Sequence, residues 1–216
     1  RINLIFEIDE ADVSKVSKIS IIGNKAFSDR ELRGVMTTKR SSILKFWASS
    51  NKYDPDRIEY DKELITSFYN ENGYVNFNFT SSLAQLVNNK NNFEIILTVS
   101  EGERFNFGSV NVISKLKKLN TDALKTSLTV TENNIFNSEQ IKESVEYIKN
   151  SASIYGFTFI DISPDLDIDN EKNIVNITFN INEGPKVYIN RININGNTRT
   201  LDKVIRREFS FSEGDA

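Results

Sequence analysis

The segment DLDIDN at residues 165–170 sets three carboxylates, Asp165, Asp167 and Asp169, close together. Oxygen-rich loops of this kind hold calcium, and the common calcium loop needs glycine at its sixth position and glutamate at its twelfth. Asn170 and Asn176 stand at those positions, so the segment reads as the turn of a hairpin, and no metal site is expected. The remaining inventory is narrower still. The chain of 216 residues contains no histidine and no cysteine. That removes thiol nucleophiles, imidazole bases, serine–histidine triads and the usual zinc sites. Carboxylate-only chemistry and Mg²⁺ or Ca²⁺ binding are left, and no pair of polar residues stands apart from a structural explanation. The chain is therefore read as no enzyme, with no catalytic residue and no cofactor.

Two groups of side chains suit contact with a partner. SSILKFWASSNKY (41–53) carries Phe46 and Trp47, and aromatic side chains dominate interface energetics. Their competing reading is a cap over the core beside them. IRRE (205–208) sets Arg206, Arg207 and Glu208 in a row, with Glu213 just beyond; an exposed helical charge run is ordinarily solvated surface.

Bulk properties exclude further classes. The net charge is −3 with both signs interspersed, whereas a general nucleic-acid binder needs a basic footprint to displace counterions. Neither a basic G-x-x-G loop nor an aromatic RNA-binding strand with basic neighbours occurs. No nucleic-acid partner is expected, and small α+β nucleic-acid-binding modules remain only a remote alternative. A mean hydropathy of −0.40 without a long apolar run predicts no membrane-spanning helix. The lack of cysteine leaves the redox compartment open. The chain starts at Arg1 inside the strand-like RINLIFEI, so it is expected to be a piece of a longer protein.

The elements that must position these residues recur. INLIFEIDEA (2–11), FEIILTVSEG (93–102) and IVNITFNINEG (174–184) each place an apolar residue at every second position and end in Glu and a small residue. Period two marks a strand with one buried face. Each copy leads into a shorter strand: KISIIGN (18–24), SVNVIS (109–114) and RININGN (191–197). Between them the pattern turns helical. Ser28 with Glu31 forms a capping box, Asp54-Pro55 starts a longer helix with Ile58, Leu64, Ile65 and Phe68 on one face, and Asn72-Gly73 ends it. In the middle copy Ser138 is expected to cap, Ile141, Val145, Ile148 and Ala152 form the stripe, and Gly156 terminates. An aromatic strand follows each helix: YVNFNF (74–79) and FTFIDI (157–162). The order β-α-α-β-β predicts an α+β module, a small three-stranded mixed sheet covered by two helices. The expected domains are 1–15, the end of a preceding module; 16–102 and 103–185, two complete modules; and 186–216, the start of a following one.

This tandem resembles POTRA domains. ISIIGNKAFSDREL, KYDPDRIEYDKELITSFYNENGYVNF and GNTRTLDKVIRREF are similar to the POTRA region of outer-membrane β-barrel assembly factors of the BamA type. By order, the complete modules resemble the third and fourth POTRA domains, with the ends of the second and fifth. The resemblance implies a periplasmic part of a cell outer membrane protein and a chaperone-like scaffold for inserting β-barrel proteins into that membrane. Implied partners are unfolded outer-membrane β-barrel clients, assembly-machine lipoproteins and a membrane β-barrel of the same chain. Within the family, a two-partner secretion transporter or a translocation and assembly module is the alternative. A three-stranded sheet must leave edges open, and an edge pairs with any extended peptide by β-augmentation. The resemblance places the client edge at Val75, Asn76, Phe77, Asn78, Phe79 and Thr80, and at Phe157, Thr158, Phe159, Ile160, Asp161 and Ile162. It assigns lipoprotein docking to Arg206, Arg207, Glu208 and Glu213. Phe46 and Trp47 are further candidate anchors. Glu101 and Gly102, and Glu183, Gly184 and Pro185, are the expected hinges, and Pro185 is expected to make the second the stiffer.

Overall fold

A computed structural model describes residues 14–38, 52–87, 92–116, 119–157, 159–185 and 188–214. They fall into two compact units. The first runs to Ser109 and takes in Val130–Ile141 and Asp167–Asn176; the second comprises Val110–Thr129, Lys142–Leu166 and the chain from Ile177 onward. The element order is β1 (Lys15–Ile22), α1 (Asp29–Val35), α2 (Pro55–Glu71), β2 (Asn78–Val87), β3 (Asn92–Ser100), β4 (Asn106–Ser114), α3 (Thr121–Thr126), α4 (Ser138–Ile154), β5 (Ile160–Asp169), β6 (Ile174–Glu183) and α5 (Asp202–Arg206). The order β-α-α-β-β therefore occurs twice, as the sequence predicts. Each sheet has three strands, ordered β1-β3-β2 and β4-β6-β5.

The middle strands carry the alternation. On β3, Ile95, Leu97 and Val99 are buried; on β6, Val175, Ile177, Phe179 and Ile181 are. Each such side chain contributes about 1.5–3 kcal/mol by leaving water. β3 runs parallel to β1, from Lys15↔Asn92 to Ile22↔Thr98, and antiparallel to β2. The parallel partner arrives only after two helices, because a parallel pair needs a long crossover. Ile2 and its neighbours, the first copy of the alternating pattern, lie outside the described residues.

Helix starts follow side-chain chemistry. The Ser28 hydroxyl accepts from Glu31 N–H at 3.3 Å, and the Glu31 carboxylate accepts from Ser28 N–H at 2.8 Å. The Ser28 hydroxyl also donates to the Glu31 carboxylate at 2.7 Å, and this bond, followed by the one from Ser28 N–H, holds Glu31 below the usual carboxylate range. Asp54 caps α2 with Pro55 behind it. For α4 the cap is Asn137, not Ser138: the Asn137 side chain accepts from Glu139 N–H at 2.8 Å. Ser138 is already helical. The buried face of α4 is Ile141, Ser144, Ile148 and Ala152, with Val145 only half-buried. On α2 the buried positions are Ile58, Asp61, Ile65 and Tyr69, while Leu64 and Phe68 lie at the margin.

The repeated Gly-Asn has a local purpose. Gly23 has φ +98 and Gly196 φ +83, a region that disfavours a Cβ. A Cβ on Gly23 would also collide with the Val99 carbonyl oxygen. Asn24 Nδ2 then donates to Phe27 O at 2.9 Å and to Asp29 Oδ1 at 3.0 Å. Asn197 donates likewise to Thr200 O and Asp202 Oδ1. Each asparagine ties the turn to the helix that follows it.

Three strand expectations shift. Residues 74–77 form a turn, closed by Phe77 N–H on Tyr74 O at 3.2 Å, because this seats the Phe77 ring flat on Tyr69 at 3.9 Å. β2 starts only at Asn78. β5 likewise starts at Ile160 and continues through Asp169, and the hairpin turn is 170–173, so DLDIDN is mostly strand. RININGN forms no strand. In the complete sheet the first strand pairs with the last strand of its own module, and no described strand is in that position for 191–197.

Two buried polar groups hold the first unit together. Asp61 is fully buried on α2. Its carboxylate accepts the Thr37 N–H, the Thr37 hydroxyl at 2.7 Å and the Thr38 N–H at 3.0 Å. Tyr69, also fully buried, donates its hydroxyl to Glu101 Oε1 at 2.8 Å. The same carboxylate accepts Lys25 N–H at 2.9 Å and Ala26 N–H at 3.0 Å. Glu101 thus joins the end of β3 to α2 and to the turn after β1.

Asp61→Ala removes a buried acceptor from two amides and should lower unfolding free energy in urea by about 2–4 kcal/mol. Glu59→Ala, at an exposed surface ion pair with Lys62 on the same helix, should stay within about 0.5 kcal/mol. Equal losses would contradict the role given to Asp61. Burial, followed by the bond to Glu101, pushes the Tyr69 hydroxyl above the ordinary tyrosine range. The unfolded chain releases that proton near pH ~10, so the contribution of Tyr69 is complete below about pH 10 and is lost as pH rises beyond it. Unfolding midpoints should fall as pH rises from about 10 to about 11.5, and less steeply in Tyr69→Phe.

Candidate functional site

Backbone N–H and C=O groups on the outer side of a sheet's last strand are unpaired unless something covers them. The outer strands on one side of each sheet are covered by the chain itself. Along β1, Ser14 O accepts Tyr53 N–H at 2.9 Å, Lys15 bridges to Lys52, and Arg33 Nη1 donates to Ile19 O at 3.3 Å. Along β4, Phe107 N–H donates to Asn134 O at 2.7 Å, Asn133 N–H to Phe107 O at 2.8 Å and Phe136 N–H to Phe105 O at 3.0 Å. The opposite outer strands are β2 and β5. Among the described residues nothing pairs with their outer sides.

β2 reads NFTSSLAQLV, without a charge or a proline. A bulge between Phe79 and Ser81 interrupts its pairing, and Ser81–Val87 then runs in one register against Thr98–Asn92. Cross-strand partners share a face, so Ser82, Ala84 and Leu86 lie on the side of buried Leu97 and Ile95, and Ser81, Leu83, Gln85 and Val87 on the other. Leu83 and Leu86 are both half exposed, at 50% and 51%. Between β2 and α2 lies an open groove of about 390 Å³, lined by Glu59, Lys62, Glu63, Thr66, Ser67 and Phe79. Lys62 Nζ stands 5.6 Å over the Phe79 ring. Next to the edge, the ion pair with Lys18 at 2.7 Å holds the Glu94 carboxyl below its ordinary range.

β5 reads IDISPDLDID. Asp169 accepts Glu171 N–H and Lys172 N–H, both at 3.0 Å, and its oxygen lies 3.2 Å from Lys172 Nζ. The Lys172 main-chain bond is the chief reason its carboxyl is held low. Asp167 accepts from Asn176 Nδ2 at 3.2 Å. Among the described residues no cluster of three acidic side chains is placed to share a metal ion.

Of the residues read from sequence as client edge, Asn78, Phe79 and Thr80 open β2, and Ile160, Asp161 and Ile162 open β5. Val75, Asn76 and Phe77 precede β2 in the turn; Phe157 and Phe159 precede β5; Thr158 lies outside the described residues. Phe77 is buried and Phe79 half-buried. The longer part of the β2 edge, Ser81–Val87, was not read from sequence. Its signal was indirect: a strand as long as FEIILTVS needs an equally long hairpin partner.

Of the docking candidates, Phe46 and Trp47 lie outside the described residues. Arg206 is engaged internally, through Glu213 at 2.9 Å and Ile192 O at 2.7 Å, and Glu213 also accepts Ile192 N–H at 3.0 Å. That main-chain bond and then Arg206 keep the Glu213 carboxyl low. Arg207 and Glu208 are exposed. Of the hinge candidates, Glu101 carries the three bonds already described, and Gly102 takes φ +71. Gly184 N–H donates to Phe159 O at 3.0 Å, between exposed Glu183 and Pro185. No described helix is long and apolar enough to cross a membrane.

The POTRA family pattern, described as surface antigen variable number repeat, matches residues 14–102, 105–184 and 187–216. An outer membrane protein assembly factor BamA from Neorickettsia risticii is 30% identical over 208 residues, covering 96% of this chain and 28% of the relative. The BamA of Neisseria meningitidis serogroup B is also 30% identical, over 96% of this chain and 26% of its own length. The chain thus spans little more than a quarter of these relatives. The crystal structure of Haemophilus influenzae BamA POTRA3-5 superposes with a TM-score of 0.71 at 22% identity, covering 94% of this chain and 80% of that one. The fold is therefore that of tandem POTRA modules. The chain belongs to the POTRA family and is a fragment of the BamA type, a periplasmic part of an outer-membrane protein.

Proposed function

We propose that this segment is a scaffold on which outer-membrane β-barrel proteins are assembled, and that it receives them by strand addition. An unfolded client segment lies along the outer side of β2 or β5 and completes the ladder that the sheet leaves open. The observation that carries this reading is the asymmetry of the sheets. The chain covers its own backbone beside β1 and β4, and among the described residues nothing covers β2 and β5. Main-chain pairing reads any extended sequence, which suits a receptor for many clients. No catalytic step enters: the segment binds and orients, and is not an enzyme.

Lipoprotein partners of the assembly machine dock near α5, where Arg207 and Glu208 are the outward charges while Arg206 and Glu213 brace the local structure. A membrane β-barrel on the same polypeptide completes the machine. We read complete modules at 16–102 and 103–185 with the start of another from 186, a division supported by family matches over 14–102, 105–184 and 187–216.

Because the chain has no cysteine, a single one reports cleanly. Gln85→Cys should form a disulfide with peptides from a β-barrel client that carry cysteine at successive positions. Strand addition requires yields that alternate with period two, since every second side chain of an added strand faces Gln85. Uniform yields along the peptide would defeat strand addition at β2.

A further inference from the structure

We propose that the two open edges are not equivalent: β5 is guarded against client strands by Pro164 and the row Asp161, Asp165 and Asp167, and β2 alone is open to them. This rests on the strand-addition reading above and names the residues that decide which edge is used.

The register of β5 shows what its edge presents. Gly184 N–H donates to Phe159 O at 3.0 Å, and Asp167 meets Asn176 at 3.2 Å. The turn at 170–173 sets Asp169 beside Ile174. All three pairings fit one register without a net shift. Residue 159 is bonded toward β6, so the odd positions of β5 exchange hydrogen bonds with β6 and the even positions turn their main chain outward. Pro164 is an even position, in the middle of the outward set 160, 162, 164, 166 and 168. It has no N–H to offer an added strand, and its ring stands where that strand's carbonyl must come. Within β5 it does no harm, because an outward position forms no bond to β6.

The side chains act in the same sense. Asp161, Asp165, Asp167 and Asp169 are all odd, and share one face of β5 with Asn176 of β6 across from Asp167. A strand laid beside them would strip water from several carboxylates while bringing no counter-charge of its own. Edge prolines and charges are the devices by which sheets avoid unwanted pairing. β2 has neither over ten residues. Its single irregularity, the bulge at Phe79–Ser81, leaves Ser81–Val87 as a continuous template.

The test uses the whole 216-residue chain and a neutral alternating peptide of about ten residues, the length of a long strand, with backbone amide shifts read on β2 and β5. In the unchanged chain, shifts should move along Ser81–Val87 and not along β5. The variant Pro164→Thr/Asp161→Asn/Asp165→Asn should gain shifts on β5 while keeping those on β2. Asp167 and Asp169 are left in place because they hold Asn176 and the hairpin turn. The reciprocal variant, Ser81→Asp/Leu83→Asp, places an acidic row on the corresponding face of β2 and should weaken binding there about tenfold. It keeps the question decidable if the triple variant does not fold. Binding at β5 of the unchanged chain, by this peptide or by one with lysine at alternate positions, would overturn the guard. So would binding at β2 without any gain at β5 in the folded triple variant, which leaves strand addition standing. Binding at neither edge in any protein would overturn strand addition, and the guard with it.

Discussion

A sheet of three strands has only one strand that is paired on both sides. Here that strand is β3 or β6, and everything else is arranged around it. Its apolar face must be roofed, which calls for the two helices. Its two flanks must be filled by strands of opposite direction, which calls for one hairpin and one long crossover. The outermost backbone then has nowhere to pair within the module. The chain covers one outer strand with its own loops, at Lys52–Tyr53 and at 133–136. Among the described residues nothing covers the other outer strand.

The middle strands were plain in the sequence because burial on one face writes a period of two into the residues. Ile95, Leu97 and Val99, and Val175 through Ile181, are buried at every second position as that pattern requires. The capping box at Ser28 and the Asp54-Pro55 start were equally plain, since capping is local chemistry. The outer strands were not. Leu83, Leu86, Leu166 and Ile168 are all substantially exposed, so no one-sided burial imposes a period on β2 or β5. The aromatic residues just before them, Phe77 among them, looked more strand-like than the strands themselves.

The buried polar groups were hidden for another reason. Asp61 and Tyr69 sit on the inner face of α2, where an apolar stripe was expected. Their partners, Thr37 and Thr38 in one case and Glu101 in the other, lie tens of residues away in sequence. A polar residue on a buried face becomes intelligible only when its distant partner is known. The candidate surface divides in the same way. That a three-stranded sheet has open edges follows from topology alone, whereas which atoms point outward at Pro164 depends on a register that no local pattern encodes.

The parallel pairing of β1 with β3 also sets an order of events. Lys15 pairs with Asn92 and Ile22 with Thr98, so the first strand made meets its partner only when nearly the whole module has followed. The β2–β3 hairpin closes locally, and contacts that close short loops form sooner than those that close long ones. During synthesis the inner side of β1 therefore stays unpaired until β3 has been made. Glu101, immediately after β3, reaches back to Lys25 and Ala26, and so joins the turn after β1 to the end of the hairpin at the last step. The sheet of the module is therefore completed only when its last strand is in place.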